Sequence, residues 1–233
     1  GNYRVTASRG IEYHTDVERI TVREIEDVEQ RFVLERAFET PGWVSADVGV
    51  RTDATESSPV DPRTRVSTAV AEGVEWLVSG DSNTATDLEP YVSELGLGKF
   101  LKTSVGYRHS GESTPFLGDF LLFPLDVCGS VDELDFSLIK NARTSASLLS
   151  SMRSLCPEAA ILLSRPIWPN HGYLSLNGFD PATNTFENDD WVSNFDAIEL
   201  WEGKRQGLFN ATYKTYHTLA QKGIRLTAFG ESN

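Results

Sequence analysis

The chain has 233 residues, 39% of them hydrophobic and 10% aromatic, enough for a packed core and too many for a disordered segment. Its 34 acidic and 21 basic residues leave a net charge of −13, which argues against a nucleic-acid or anionic-membrane surface, because both demand clustered Lys and Arg. No apolar run reaches the ~18 residues of a membrane span, so no transmembrane segment is expected.

Residues 1–40 read as a short antiparallel ribbon of three strands, Tyr3–Ser8, Glu18–Ile25 and Gln30–Phe38. Ile20 and Val22, then Phe32 and Leu34, alternate with polar neighbours as in half-buried strands. Such a ribbon cannot close a sandwich by itself. Another polypeptide, or an upstream or downstream domain, is therefore expected to cover it and the C-terminal end of the chain. The chain opens on Gly1-Asn2-Tyr3, as expected of a processed or trimmed N-terminus.

Pro41-Gly42 then punctuates the pattern, and from 41 to 233 short apolar strands alternate with helical stretches. The seven strands are Trp43–Thr52, Glu75–Gly80, Leu101–His109, Gly118–Leu125, Ala159–Arg165, Ala197–Trp201 and Arg225–Gly230. Asp61 followed by Pro62 starts a helix that Gly73 ends, with Val66, Ala69 and Val70 on its core face. Leu148, Leu149, Met152 and Leu155 mark a second core stripe, and Phe209, Tyr213, Tyr216 and Ala220 a third. The expected fold is α/β, a seven-stranded (β/α) barrel after the ribbon. Cys128 and Cys156 fit a disulfide in an oxidising compartment or two buried thiols in a reducing one.

In an α/β barrel the functional groups stand at the carboxyl ends of the strands. There this chain offers Asp47 and Arg51, Asp81 and Ser82, Arg108 and His109, Asp119, Arg165, Glu199, and Glu231-Ser232-Asn233. No Gly-x-Ser-x-Gly elbow and no Gly-rich phosphate loop competes with them.

The segment from Trp43 to Asn233 resembles the PHP (polymerase and histidinol phosphatase) superfamily, in its carbaryl-hydrolase-like branch of metal-dependent hydrolases. The resemblance is carried by Pro41-Gly42-Trp43-Val44-Ser45-Ala46-Asp47, Ala69-Val70-Ala71-Glu72-Gly73-Val74-Glu75 and Asp81-Ser82-Asn83-Thr84. Phe123-Pro124-Leu125 and Gly178-Phe179-Asp180-Pro181 add to it. It implies a seven-stranded barrel, with the ribbon as the remnant of a preceding β-sandwich, and an extracytoplasmic location. In the family, clustered His, Asp and Glu ligands hold metal ions that activate water.

Position by position, those ligands are replaced here. The Asp-x-His-x-His of the first strand becomes Asp47, Gly49 and Arg51, and Thr-Asp-His becomes Gly80-Asp81-Ser82. The glutamate of strand three falls on Arg108, the histidine of Gly-His-Phe on Asp119, and that of Asn-His-Pro on Arg165. The closing Ser-Asp-x-His runs into Ser232-Asn233. Permanent guanidinium cations repel a dication, and bidentate Arg–Asp pairs satisfy carboxylates without one. The degenerate pocket is therefore expected to contain Asp47, Arg51, Asp81, Ser82, Arg108, Asp119, Arg165 and Glu231, with Arg–Asp pairing and no metal or other cofactor. Three readings follow: a structural or binding subunit of a larger assembly, a receptor for a small anion such as phosphate or carboxylate, or a phosphoesterase or carbamate/ester hydrolase with a rebuilt site that includes His109. His171, in Pro169-Asn170-His171-Gly172, stands in a loop that could roof the pocket.

Overall fold

The computed structural model describes residues 1–110, 117–180, 183, 185–188, 191–201 and 206–231, with the backbone alone of Gln206. Two antiparallel strands, β1 (Asn2–Ala7) and β2 (Asp16–Thr21), form the N-terminal ribbon. The third expected strand is absent. Residues 33–37 run beside 12–16, with His14 N–H donating to Glu35 O and Ala37 N–H to Glu12 O, but the Asp16 carboxylate accepts the Val33 N–H and interrupts the ladder. The ribbon is tied to the rest of the chain by Arg9, whose guanidinium lies 5.0 Å from the Tyr13 ring and 4.9 Å from Phe100. Arg36 adds contacts to Glu12 and Glu75.

The remaining strands form two sheets rather than a closed barrel. The smaller sheet is parallel, with order β3 (Ala46–Val50), β4 (Trp76–Ser79) and β5 (Lys102–Ser104). The larger has the order β10 (Thr227–Gly230), β9 (Ala197–Trp201), β8 (Ala160–Ser164), β7 (Asp119–Phe123) and β6 (Tyr107–His109). Strand β7 runs antiparallel to both its neighbours, which a (β/α) barrel does not allow. The connection from His109 to Asp119 is shorter than the dozen or so residues that a parallel crossover needs, so the chain reverses there.

The single strand expected over Leu101–His109 is instead β5 and β6, in different sheets. The break falls at Val105-Gly106, where side chains satisfy the backbone: Val105 N–H donates to Asp126 Oδ1 and Gly106 N–H to Ser79 Oγ. A Cβ on Gly106 would stand 2.3 Å from Ser79 O, so only glycine lets the chain pass this close to β4.

Helices cover the outer faces of the two sheets. Helix α1 (Pro62–Ala71) has the expected Asp61 cap, whose carboxylate accepts Thr64 N–H. With α2 (Glu89–Glu94) it buries Val50, Val66, Leu77, Leu88 and Val92 against the small sheet. The short α3 (Ser137–Lys140) precedes α4 (Ser145–Leu155), which starts with a Thr144/Ser147 capping box and inserts Leu148, Leu149 and Met152 into the largest core. Helix α5 (Tyr173–Leu176) and α6 (Gln206–Gln221) complete that layer. On α6 the expected stripe is displaced: Tyr213 is 47% exposed, and the buried face carries Thr212, Thr215, Thr218 and Leu219. Cys128 and Cys156 are joined in a disulfide, with Cα atoms 5.7 Å apart, at the end of α4. Between the sheets lies a small core of Val48, Val78, Leu121, Phe123, Leu162 and Ala197. Among the described residues no helix is long and apolar enough to cross a membrane.

Candidate functional site

The inter-sheet layer changes from apolar to charged at the carboxyl ends of the parallel strands. Because β7 is antiparallel, its first residue, Asp119, arrives at the same end and pairs in register with Ser164, the last residue of β8. In this way the sheet delivers Arg108, Asp119, Ser164, Arg165, Glu199 and Glu231 to one place.

Arg51 reaches it by a local irregularity. Val48 packs between the sheets, and Val50, two residues on, packs under α1. Residues two apart on a regular strand share a face, so the register shift between Val48 and Val50 reverses the alternation and turns Arg51 inward. The intervening Gly49 has φ +94°, and a Cβ there would stand 2.4 Å from Arg108 Nη2.

Arg108 is fully buried. Its Nη2 lies 2.7 Å from Glu231 Oε2 and 3.3 Å from Gly49 O, and its Nε donates to Gly80 O at 3.1 Å. Burial opposes the charge, but Glu231 and Asp119 outweigh it and hold the pKa above the ordinary arginine value. The other oxygen of Glu231 accepts from Ser164 Oγ at 2.9 Å. Arg165 Nη2 lies 2.5 Å from Asp119 Oδ2, and its backbone N–H donates to Glu199 Oε2 at 2.6 Å. The residue sits at φ +46°, an unusual conformation for a non-glycine residue and one that the surrounding bonds maintain. Glu199 is 2% exposed. Burial, reinforced by the neighbouring Glu231 charge, pushes its pKa up to about 8, so the carboxyl is largely protonated at neutral pH.

Among the described residues of the expected pocket, Arg165 pairs with Asp119, and Arg108 pairs with Glu231 and not with an Asp. Among the described residues Asp81 has no Arg partner: Thr52 N–H, Thr52 Oγ1, Thr55 Oγ1 and Thr86 Oγ1 donate to it at 2.6–2.7 Å. This cage ties the loop after β3 to the loop after β4. Asp47 precedes the bulge and shares the face of its register partner Leu77, which packs with α1 and α2. Ser82 donates its N–H to Thr55 Oγ1 and lines a separate polar pocket. His109 pairs in register with Phe120 and shares its face, opposite to Arg108. It is 5% exposed, and burial lowers its pKa against the opposing pull of Asp119. His171 lies in the loop after β8, its N–H donating to Trp168 O. Ser232 and Asn233 lie outside the described residues. Glu199 is the member of the cluster that the expected site omits; a carboxylate between Ile198 and Leu200 in an apolar strand is its signal.

No family model and no curated protein matches the chain. Among solved structures, the fold is similar to that of a two-domain protein from Bacteroides vulgatus containing a predicted PHP-like metal-dependent phosphoesterase, with TM-score 0.53 and 14% identity over 81% of this chain and 51% of that one. The chain spans about half the length of that protein, and at this identity the likeness is one of fold.

A metal of the kind that name implies does not fit the residues present. Among the described residues no group of three or more His, Cys, Asp or Glu side chains is placed to hold an ion. Asp119 and Glu231, the carboxylates nearest such a role, are each within 2.7 Å of a guanidinium nitrogen. A dication there would have to displace two permanent cations from a buried layer.

Proposed function

We propose that the protein is a degenerate PHP-like domain, a structural or binding subunit whose strand-end site is closed by arginine–carboxylate pairs instead of metal ions. The observation that carries this reading is the fully buried Arg108–Glu231 pair, 2.7 Å apart, with Arg108 at the position where the resemblance places a glutamate ligand. The low-identity fold likeness agrees with PHP-like ancestry. The test is metal analysis after expression with zinc, iron and manganese supplied, together with an assay on bis(p-nitrophenyl) phosphate. The expected result is well under one ion per chain and no turnover. About two ions per chain, with turnover abolished by chelator and by Asp81→Ala, would overturn it in favour of a rebuilt hydrolase.

The Cys128–Cys156 bridge supports an extracytoplasmic location, because such bonds persist in oxidising compartments. Exposed apolar side chains at and just after the ribbon, with Tyr3 at 56% and Trp43 at 83%, support a covering polypeptide or domain. A lone monomer in light scattering of the full-length protein purified from its natural source would count against that partner.

A further inference from the structure

At the strand ends Arg51, Arg108 and Arg165 stand with the buried carboxylates Asp81, Asp119 and Glu231, but the pairing is uneven. Arg108 is matched by Glu231 and Arg165 by Asp119, while Glu199 is largely neutral at pH 7. Arg51 is left over. Its one hydrogen bond as a side-chain donor among the described residues runs from Nη1 to Ser57 Oγ at 3.1 Å. Its Nε and Nη2 atoms are buried and have no acceptor. These two atoms form one edge of the guanidinium, the edge that presents parallel N–H groups to a carboxylate or phosphate. A second orphan lies in the same cluster, since Nη1 of the fully buried Arg108 also lacks an acceptor. Burial, then the like charges of Arg108 and Arg165, lower the Arg51 pKa to about 10, which still leaves it cationic at neutral pH. On the Nη1 side, Ser57 borders a polar pocket of about 520 Å³ that Arg51 does not itself line.

We propose that Arg51 is the anchor of an oxyanion-binding site, its Nε–Nη2 edge holding a carboxylate or phosphate group. This rests on the metal-free reading above and supplies its ligand class. Buried donors without acceptors are costly, and an oxyanion at this edge satisfies both donors together. Arg108 serves as the neighbour whose charge, already matched by Glu231, leaves Arg51 as the available cation.

The test is thermal unfolding of chelator-treated protein in sodium phosphate, sodium acetate or sodium chloride at equal ionic strength and pH 7. Phosphate, acetate or both are expected to raise Tm over chloride, by about 5–10 °C at a hundred times Kd, and the more effective anion identifies the ligand as phosphoryl or carboxylate. Arg51→Gln is expected to abolish the rise. Arg51→Lys, which keeps the charge and loses the fork, is expected to weaken binding by roughly tenfold or more. Should Arg51→Gln fail to fold, the Nε–H resonance of Arg51 in the wild-type protein, assigned by its loss in Arg51→Lys, is expected to shift on phosphate or acetate addition. No rise with either anion, an equal rise in Arg51→Gln, or an unmoved Arg51 resonance overturns the proposal. Failure of the metal-free reading would show differently, as phosphate binding that is sensitive to chelator and survives Arg51→Gln.

Discussion

Glu231→Gln tests the buried pair with little change of shape. The substitution keeps an oxygen facing Arg108 and removes the charge, leaving a guanidinium with no exposed surface beside a neutral amide. Breaking one side of a buried pair costs about 3–5 kcal/mol, because the remaining ion has lost both water and its counterion. For a chain of this size that corresponds to a fall in Tm of about 6–20 °C. Removing both charges should behave differently. Arg108→Met with Glu231→Leu restores an apolar layer continuous with Leu121 and Leu162. The double variant gives up the Ser164 Oγ–Glu231 bond and the Arg108 bonds to Gly80 and Gly49, worth about 1 kcal/mol each, and also sheds the desolvation of two ions. It is expected to unfold within about 2 kcal/mol of the wild type. Urea unfolding at pH 7, followed by tryptophan fluorescence and by circular dichroism to check that the transitions coincide, gives the three free energies. The reasoning is refuted if Glu231→Gln costs less than about 1 kcal/mol, or if the double variant is as unstable as the sum of the two single substitutions.

Two further outcomes follow from the same structure. Glu199 has a pKa raised to about 8 in the folded protein against an ordinary value near 4.5, so its favourable contribution is fully present below about pH 4.5 and is lost as pH rises through 8. Wild-type stability should therefore fall by a few kcal/mol relative to Glu199→Gln between about pH 5 and pH 9, and parallel stability–pH curves for the two proteins would contradict the assignment. The Cys128–Cys156 bridge spans a separation of 28 residues, and its loss in Cys128→Ser/Cys156→Ser should cost about 3–4 kcal/mol in urea unfolding; no change in the midpoint would show that the bridge does not constrain the unfolded chain.

Much of the secondary structure is legible in the sequence, since strands need only apolar runs of the right length and helices only caps and periodicity. Asp61-Pro62 marks the start of α1, and Ala197–Trp201 is β9 residue for residue. Strand direction is not written in such patterns. The reversal at β7 depends on the length of one connection and on which edge of β8 lies open. The α6 face is misread because its buried positions are Thr212, Thr215 and Thr218, polar by type and buried in fact, while the aromatic ladder of Phe209, Tyr213 and His217 runs toward solvent. At the site, residue type predicts that Arg108, Asp119, Arg165 and Glu231 meet, because strand ends are fixed by the sheet. Partner choice is a matter of ångströms and escapes the sequence. Asp81 goes to three threonines and not to an arginine, although the spacing of Thr52 and Thr55 is a hint of hydroxyls converging in a loop. The bulge at Gly49 also has a sequence signal, a glycine inside a strand pattern, and it decides which face Arg51 occupies.

The identity of the cations is itself informative. A buried lysine in the place of Arg51 would start from a lower ordinary pKa, so the same burial and the same two neighbouring charges would bring it closer to neutral pH. Arginine starts high enough that the same displacement leaves it charged, at about 10. Three arginines therefore give the strand ends a positive charge that neither ordinary pH changes nor chelators remove. An exchangeable ion gives a similar field but carries its own water and can activate it, whereas guanidinium offers only fixed N–H directions. On the metal-free reading proposed above, such a site serves recognition and support. Of the three, Arg108 and Arg165 are committed to carboxylates within the fold, and the bulge at Gly49 brings in the third without one among the described residues.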